Sequence, residues 1–138
     1  MNKYIFHIGL HKTGTKFFQY KVFPNISEDK FIYNPPKLKQ LYIDLAKCDY
    51  VDVPRILRAI EREKSILEEK EDRTIIISSE VLSGDIFSFY RFHEDHFSRL
   101  KNAFEGAKII CFLRYQVDWL ISCYRETLCE HHFQTIYG

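Results

Sequence analysis

The sequence contains no apolar run long enough to cross a membrane, because no stretch approaches the ~18 consecutive apolar residues that a spanning helix needs. Its first ten residues also lack the basic segment and the cleavage site of a secretory signal peptide. These absences predict a cytoplasmic protein that has no membrane span.

The chain also lacks an excess of charge of either sign. Its 20 Lys and Arg residues stand against 19 Asp and Glu residues, which gives a formal net charge of +1. A protein that binds nucleic acid through the phosphates usually presents a broad basic face. The balance therefore argues against nucleic acid as a partner and predicts that any anion site is local.

Cysteine pairs of the C-x-x-C type are absent as well. The four cysteines are Cys48, Cys111, Cys123 and Cys129. In a chain without a signal peptide they are expected to be reduced thiols, buried as small apolar side chains.

Two histidine-containing clusters, at residues 93–96 and 129–132, have no second half with the spacing of metal ligands. We therefore expect no metal site.

The 138 residues are enough for one domain with a single core, and no linker, repeat or low-complexity tract divides them. We therefore expect one domain that spans residues 1–138. Short apolar runs typical of strands alternate along it with amphipathic runs typical of helices. The predicted strands are residues 4–9, 31–34, 74–79 and 108–113, and the predicted helices are residues 16–23, 38–45, 52–67, 95–104 and 117–128.

This alternation predicts an α/β fold with a mostly parallel sheet flanked by helices. Residues 74–79 include three consecutive isoleucines, which is typical of a strand buried on both faces, and residues 108–113 form a second continuous apolar run. The closing helix is predicted from one apolar stripe. The stripe consists of Val117, Leu120, Ile121, Tyr124 and Leu128.

Polar residues follow three of the predicted strands. They are residues 9–16 after the first strand, residues 78–80 after the third and Arg114 after the last. Because the carboxyl ends of parallel strands meet at one edge of a sheet, we expect these groups to form one site suited to an anionic ligand.

The first of these segments, GLHKTGTK at residues 9–16, has glycines five apart, as in a Walker A loop. Thr15-Lys16 stands where that motif has Lys followed by Ser or Thr. The glycines let backbone N–H groups curl around phosphate oxygens, and the N-terminus of the following helix adds partial positive charge. The segment is predicted to bind phosphate, and a turn without a ligand is the alternative.

Residues 6–15, FHIGLHKTGT, resemble the 5′-phosphosulfate-binding loop of the sulfotransferase family, whose donor is 3′-phosphoadenosine-5′-phosphosulfate (PAPS). Family members usually have Thr or Ser at the position of Lys16. The resemblance implies a P-loop-like α/β domain, PAPS as the donor and no metal. It also implies that the donor contacts His11, Lys12, Thr13, Gly14, Thr15 and Lys16.

Residues 109–125 resemble the family's 3′-phosphate segment, in which a strand ends in Arg and a Ser follows eight residues later on the next helix. Arg114 and Ser122 match this spacing, and the resemblance implies that both bind the 3′-phosphate. A guanidinium grips phosphate as a fork, and a hydroxyl adds one more donor. Gln116 and Trp119 stand where the family usually has a proline and a second arginine.

Two residues are candidates for catalysis. Many carbohydrate-type sulfotransferases have a glutamate base near the position of Glu80, which would take the proton of the acceptor hydroxyl. His7 and His11 are alternative bases. Lys12 would stabilise the charge that gathers on the departing phosphate, whereas Lys16 is expected to point elsewhere.

The resemblance, which covers about residues 4–125, implies an enzyme that transfers a sulfuryl group from PAPS to a hydroxyl or amine acceptor. The glutamate-type base favours a glycan. The family's domains are usually longer, with a third donor-contacting loop and much of the acceptor site after the second motif, so the resemblance implies a truncated or minimal relative. A P-loop kinase or NTPase and an inactive anion-binding module remain the alternatives.

Overall fold

The computed structural model describes residues 3–48, 50–84, 90, 93–103 and 105–135, with the backbone alone at residues 93, 127 and 130–135. The strands are β1 (Tyr4–His7), β2 (Phe31–Tyr33), β3 (Thr74–Ser78) and β4 (Lys108–Ile110). The α-helices are α1 (Thr15–Phe17), α2 (Pro36–Lys47), α3 (Val53–Lys70), α4 (His93–Ala103) and α5 (Gln116–Thr135). A π-helical turn (Phe18–Val22) and a 3-10 turn (Phe23–Asn25) continue α1, and a second 3-10 turn (Glu80–Ser83) follows β3.

The four strands form one sheet in the order β2-β3-β1-β4, and every pair in it is parallel. In the central pair, Phe6 lies opposite Ile77 and His7 lies opposite Ser78. The predicted α/β architecture, a parallel sheet flanked by helices, is confirmed.

One face of the sheet carries the hydrophobic core. Tyr4 and Phe6 of β1 share this face with Ile75 and Ile77 of β3, because alternate residues of a strand point to the same side. Helices α2, α3 and α4 pack against each other and against this face. They contribute Leu38, Tyr42, Leu45, Ile56, Ile60, Leu100 and Ala103. Ile75, Ile76 and Ile77 are all buried, which confirms that β3 is enclosed on both faces.

The opposite face of β1 and β3 is covered by aromatic rings. The fully buried His7 contacts the rings of Phe18, Phe23 and Phe112. Phe18 and Phe112 stack on each other with 4.1 Å between their ring centres. The segment after α1 therefore covers the face that α2, α3 and α4 leave open.

The end of the chain differs from the sequence-based prediction. Of the strand predicted over residues 108–113, only β4 (Lys108–Ile110) forms. Within the described part of the chain β4 pairs with β1 and with no other strand, and Ile109 is 58% exposed. The apolar stripe of α5 is also exposed, with Leu120 at 52% and Tyr124 at 65%. Hydrophobic periodicity identifies an apolar face, but it does not identify what packs against that face.

Two further expectations differ from the structure in detail. The helix predicted over residues 16–23 is present, but it is α-helical only over Thr15–Phe17 and π-helical over Phe18–Val22. All four cysteines are free thiols, but Cys111 and Cys129 are exposed rather than buried.

Among the described residues, no helix is both long and apolar enough to cross a membrane. In that same part of the chain, no group of three or more His, Cys, Asp or Glu side chains is placed to hold a metal ion. The side chains of His131 and His132, which belong to one of the two clusters considered above, lie outside the described residues, as does that of His93 in the other.

Candidate anion-binding cleft

The strand order sets the position of the site. The chain leaves β1 towards β2 and leaves β3 towards β4, so the connections from these two neighbouring strands run in opposite directions. In open α/β sheets, ligands bind outside the carboxyl ends of the strands at such a point. The loop after β1 and the turn after β3 both lie there.

The loop between β1 and α1 is closed by its own threonines. Thr13 Oγ1 donates a hydrogen bond to Leu10 O at 2.6 Å, and Thr15 Oγ1 donates to the same carbonyl at 3.3 Å. Two residues have left-handed backbones, Gly14 at φ 82° and Lys12 at φ 64°. The second is unusual for a residue with a side chain, and it is the kind of local strain that clusters at ligand sites.

Gly9 is required for a different reason from the one that the motif suggests. A Cβ at this position would lie 1.8 Å from Thr15 Oγ1, so the backbone of Gly9 packs directly against the Thr15 side chain. Ser83 Oγ donates to Gly9 O at 2.8 Å, which ties the loop to the turn after β3. Gly9 therefore provides space for Thr15, whereas Gly14 provides the left-handed turn.

A cleft of about 310 Å³ opens above this loop. It is lined by His11, Lys12, Gly14, Thr15, Lys16, Glu80, Arg114, Ser122 and Glu126. The structure thus brings together eight of the nine residues that the sequence predicts for the donor site and for catalysis. Thr13 is the ninth, and its hydroxyl is directed at Leu10 O of the loop instead.

Two lining residues change the sequence-based view. Lys16, predicted to contact the donor but to point away from the position of Lys12, lines the same cleft as Lys12. Glu126 was not predicted at all. It lies four residues after Ser122 on α5, a spacing that puts both side chains on one face of the helix and that could have identified it.

Lys12 contacts both segments that line the cleft opposite the loop. Its Nζ donates to Glu126 Oε2 at 2.7 Å, and its backbone oxygen accepts a hydrogen bond from Arg114 Nη1 at 3.3 Å. The hydrogen bond from Lys12 and the charge of the same ammonium lower the pKa of Glu126, so this carboxylate stays ionised at neutral pH. The two motifs of the resemblance are therefore in direct contact.

His11 is held from three sides. Its backbone N–H donates to Tyr90 Oη at 3.1 Å, its ring Nδ1 lies 2.9 Å from the same oxygen, and its carbonyl accepts from Trp119 Nε1 at 2.8 Å. These contacts turn the other ring nitrogen, Nε2, towards Glu80 Oε2 at 4.0 Å. Sequence reasoning missed Tyr90, and Trp119, noted only as a departure from the family pattern, positions the loop.

The alternative base His7 does not reach the cleft. Its side chain is fully buried under aromatic rings, and its Nδ1 is 2.7 Å from Ser78 Oγ. Burial lowers the pKa of this imidazole because it disfavours the charged form. A group that no substrate can touch cannot serve as the base, so Glu80 and His11 remain.

The cleft carries a net positive charge. Lys12, Lys16 and Arg114 supply three positive charges against the two carboxylates of Glu80 and Glu126. A guanidinium, two ammonium groups and the Ser122 hydroxyl are suited to donate hydrogen bonds to phosphate or sulfate oxygens.

Comparison with protein-family models, with curated proteins and with solved structures gives no match to this chain. The function is therefore inferred from the geometry of the cleft and from the two motifs.

Proposed function

We propose that this domain binds PAPS and transfers its sulfuryl group to a hydroxyl or amine acceptor, as sulfotransferases do. The observation that carries the proposal is the convergence of Lys12, Glu80, Arg114 and Ser122 on one cleft. Arg114 and Ser122 are about a hundred positions from Lys12 in the sequence, and they were selected by a different motif.

We further propose that the fold is P-loop-like. The order β2-β3-β1-β4 differs from the Rossmann order, in which β2 lies beside β1, and from the flavodoxin-like order, in which β1 lies between β2 and β3. In this chain the phosphate-type loop follows a central strand, and the strand beside it is followed by the acidic residue Glu80. This arrangement supports a nucleotide site at the centre of the sheet.

The donor would lie across the cleft with its two phosphate ends held apart. The 5′-phosphosulfate would contact the Lys12 ammonium and the backbone of Gly14 and Thr15 at the end of the loop, and Lys16 would add a second ammonium. The 3′-phosphate would lie against Arg114 and Ser122. In this arrangement the forked guanidinium of Arg114 recognises the 3′-phosphate. The ammonium of Lys12 lies where negative charge develops on the departing 5′-phosphate.

In the reaction, the acceptor oxygen or nitrogen forms a bond to sulfur while the bond between sulfur and the bridging oxygen breaks. The acceptor proton passes to Glu80, and the electron pair of the broken bond stays on the 5′-phosphate of the product, 3′-phosphoadenosine-5′-phosphate (PAP). Lys12 would stabilise that phosphate more strongly in the transition state than in the ground state, which is the requirement for catalysis. His11 Nε2, 4.0 Å from Glu80 Oε2, would help to position this carboxylate.

A nucleoside triphosphate is the competing ligand, because Lys16 lines the same cleft. In a Walker-type loop the lysine after the second glycine contacts the phosphates, and Lys16 is the nearest residue to that position. The two functions differ in the nucleotide that binds best.

Titration calorimetry of the chain with PAP, adenosine 5′-phosphate and Mg-ATP tests the proposal. We expect PAP to bind most tightly. Arg114→Ala should reduce PAP affinity by about 10-fold to 100-fold, since each charge-assisted hydrogen bond contributes ~1.5–3 kcal/mol. The preference for PAP over adenosine 5′-phosphate should disappear in this variant.

Arg58→Ala is the matched control, because Arg58 is an exposed arginine of α3 outside the cleft. Arg114 also donates a hydrogen bond to Lys12 O. The loss of Arg114 can therefore disturb the loop and weaken the binding of every nucleotide. The ratio between the two nucleotides is therefore the decisive quantity. Tightest binding of Mg-ATP would favour the NTPase, and no nucleotide binding would favour the inactive module.

A further inference from the structure

The cleft contains a carboxylate that opposes the charge of its proposed ligand. Glu126 Oε2 lies 2.7 Å from Lys12 Nζ, and the two side chains are 31% and 32% exposed. Lys12 is the residue that the proposed function places beside the 5′-phosphosulfate. Its ammonium thus already has a negatively charged partner, which belongs to the protein.

An anion that binds Lys12 competes directly with this carboxylate. A phosphate or sulfate oxygen would take the place of Glu126 Oε2 beside the ammonium, because both are acceptors of the same charge-assisted hydrogen bond. If Glu126 stayed in place, the two negative groups would lie within a few ångströms of each other and would repel. Tight binding therefore requires that the carboxylate move away.

Glu80, the other carboxylate of the cleft, is placed differently. Its Oε2 lies 4.0 Å from His11 Nε2, and the described contacts include no ion pair between it and a lysine. Glu126 follows Ser122 by four residues of α5, about 6 Å along the helix axis. A ligand held at Ser122 and Arg114 therefore brings its second anionic group close to Glu126.

We propose that Glu126 is a latch on Lys12, which a ligand with two anionic groups displaces when it binds the cleft. The latch keeps Lys12 directed into the cleft before binding and lowers the affinity for every anion that binds Lys12, so only a ligand that also contacts Arg114 and Ser122 binds tightly. The inference rests on the proposed function only in that the ligand is a phosphate-type anion. Glu126 is in this sense a residue that determines specificity, and it takes no part in the bond changes.

Glu126→Gln tests the latch, because it keeps the size of the side chain and removes its charge. Inorganic pyrophosphate is the probe, titrated by calorimetry against the full chain. We expect the variant to bind pyrophosphate about 3-fold to 10-fold more tightly than the wild type. In the variant, binding no longer breaks a partly exposed ion pair, and no carboxylate repels the anion. Glu69→Gln is the matched control, an exposed glutamate of α3 outside the cleft, and its affinity should match the wild type.

A second background separates a latch from general repulsion. If Glu126 acts by occupying Lys12, the gain from Glu126→Gln should be smaller when Lys12 is also replaced by Ala, because only the repulsion between Glu126 and the anion then remains. An equal or larger gain in Lys12→Ala would mean that Glu126 repels anions without holding Lys12, and it would overturn the proposal. Unchanged pyrophosphate affinity in Glu126→Gln, or no binding to either protein, would overturn it as well.

The same titrations keep this inference separate from the proposed function. If PAP binds no better than adenosine 5′-phosphate but Glu126→Gln still raises pyrophosphate affinity through Lys12, the PAPS assignment fails and the latch stands. If PAP is preferred but Glu126→Gln changes neither ligand, the latch fails and the PAPS assignment stands.

Discussion

Replacement of Gly9 by Ala tests the geometry of the loop on which the whole site depends. The added Cβ would lie 1.8 Å from Thr15 Oγ1 and 2.8 Å from both Thr15 Cβ and Thr15 Cγ2. Thr15 is itself buried, and its hydroxyl donates to Leu10 O, so it has little room to turn away. The clash must be relieved by movement of the loop backbone or of α1.

The expected destabilisation follows from these distances. Overpacking by one methyl group in a filled interior usually costs about 1–3 kcal/mol. Three contacts below van der Waals distance put Gly9→Ala at the upper end, at about 3 kcal/mol in the free energy of unfolding. For a domain of this size that corresponds to a fall in Tm of roughly 10 °C.

Gly14→Ala is the control, since no heavy atom lies within 4 Å of its Cβ position and only the left-handed backbone opposes the substitution. A residue with a side chain at such a φ costs about 1–2 kcal/mol, so this variant should lose less stability than Gly9→Ala. Both would be measured by urea unfolding followed by circular dichroism.

A double-mutant cycle with Thr15→Gly identifies the cause, because this substitution removes all three crowded atoms. In that background Gly9→Ala should cost less than about 1 kcal/mol. The reasoning would be refuted if Gly9→Ala destabilised the protein no more than Gly14→Ala, or if its cost were the same with and without the Thr15 side chain.

Three further predictions concern the chemistry and the buried histidine. Glu80→Gln should lower the turnover of PAPS, followed as PAP release with glycan acceptors, by about 10²-fold to 10⁴-fold at nearly unchanged PAP affinity, and near-normal turnover would move the role of base to His11. Lys12→Ala should lower the same rate by ~10²-fold, whereas Lys16→Ala should mainly weaken donor binding, and loss of all nucleotide binding in Lys16→Ala alone would support the NTPase. Because burial lowers the pKa of folded His7, the unfolded chain takes up this proton first as the pH falls below ~6.5, so the stability of the wild type relative to His7→Asn should decrease there by at most ~1.4 kcal/mol per pH unit. Parallel urea titrations from pH 7.5 to 5 would measure this difference, and a relative stability that does not change with pH would contradict the assignment.

Much of the fold was predictable from the sequence because local patterns determine it. Three consecutive isoleucines predict the enclosed strand β3, and alternation of strand and helix predicts a parallel sheet. Such a sheet brings strand ends to one edge, so the meeting of the loop after β1 with Glu80 and Arg114 also followed from the order of the elements.

The sequence alone could not give what depends on approach in three dimensions. The ion pair between Lys12 and Glu126 joins residues 114 positions apart, and no local pattern signals it. His7 and His11 are equally plausible bases in the sequence, yet one is enclosed by rings and the other lines the cleft.

The sequence alone also could not show which side chains are exposed or how much space surrounds them. The apolar stripe on α5 is visible as a period of 3.6 residues, but whether it is covered depends on its neighbours, and here it faces outwards. A sequence shows that Gly9 is a glycine, but only the packed structure shows that Thr15 fills the place of its missing side chain.

The sequence by itself thus determined the elements, their order and the chemical types at the cleft, because these depend on local periodicity and on residue identity. The tertiary structure decided the pairings, the burial and the close contacts, because these depend on groups that are distant along the chain.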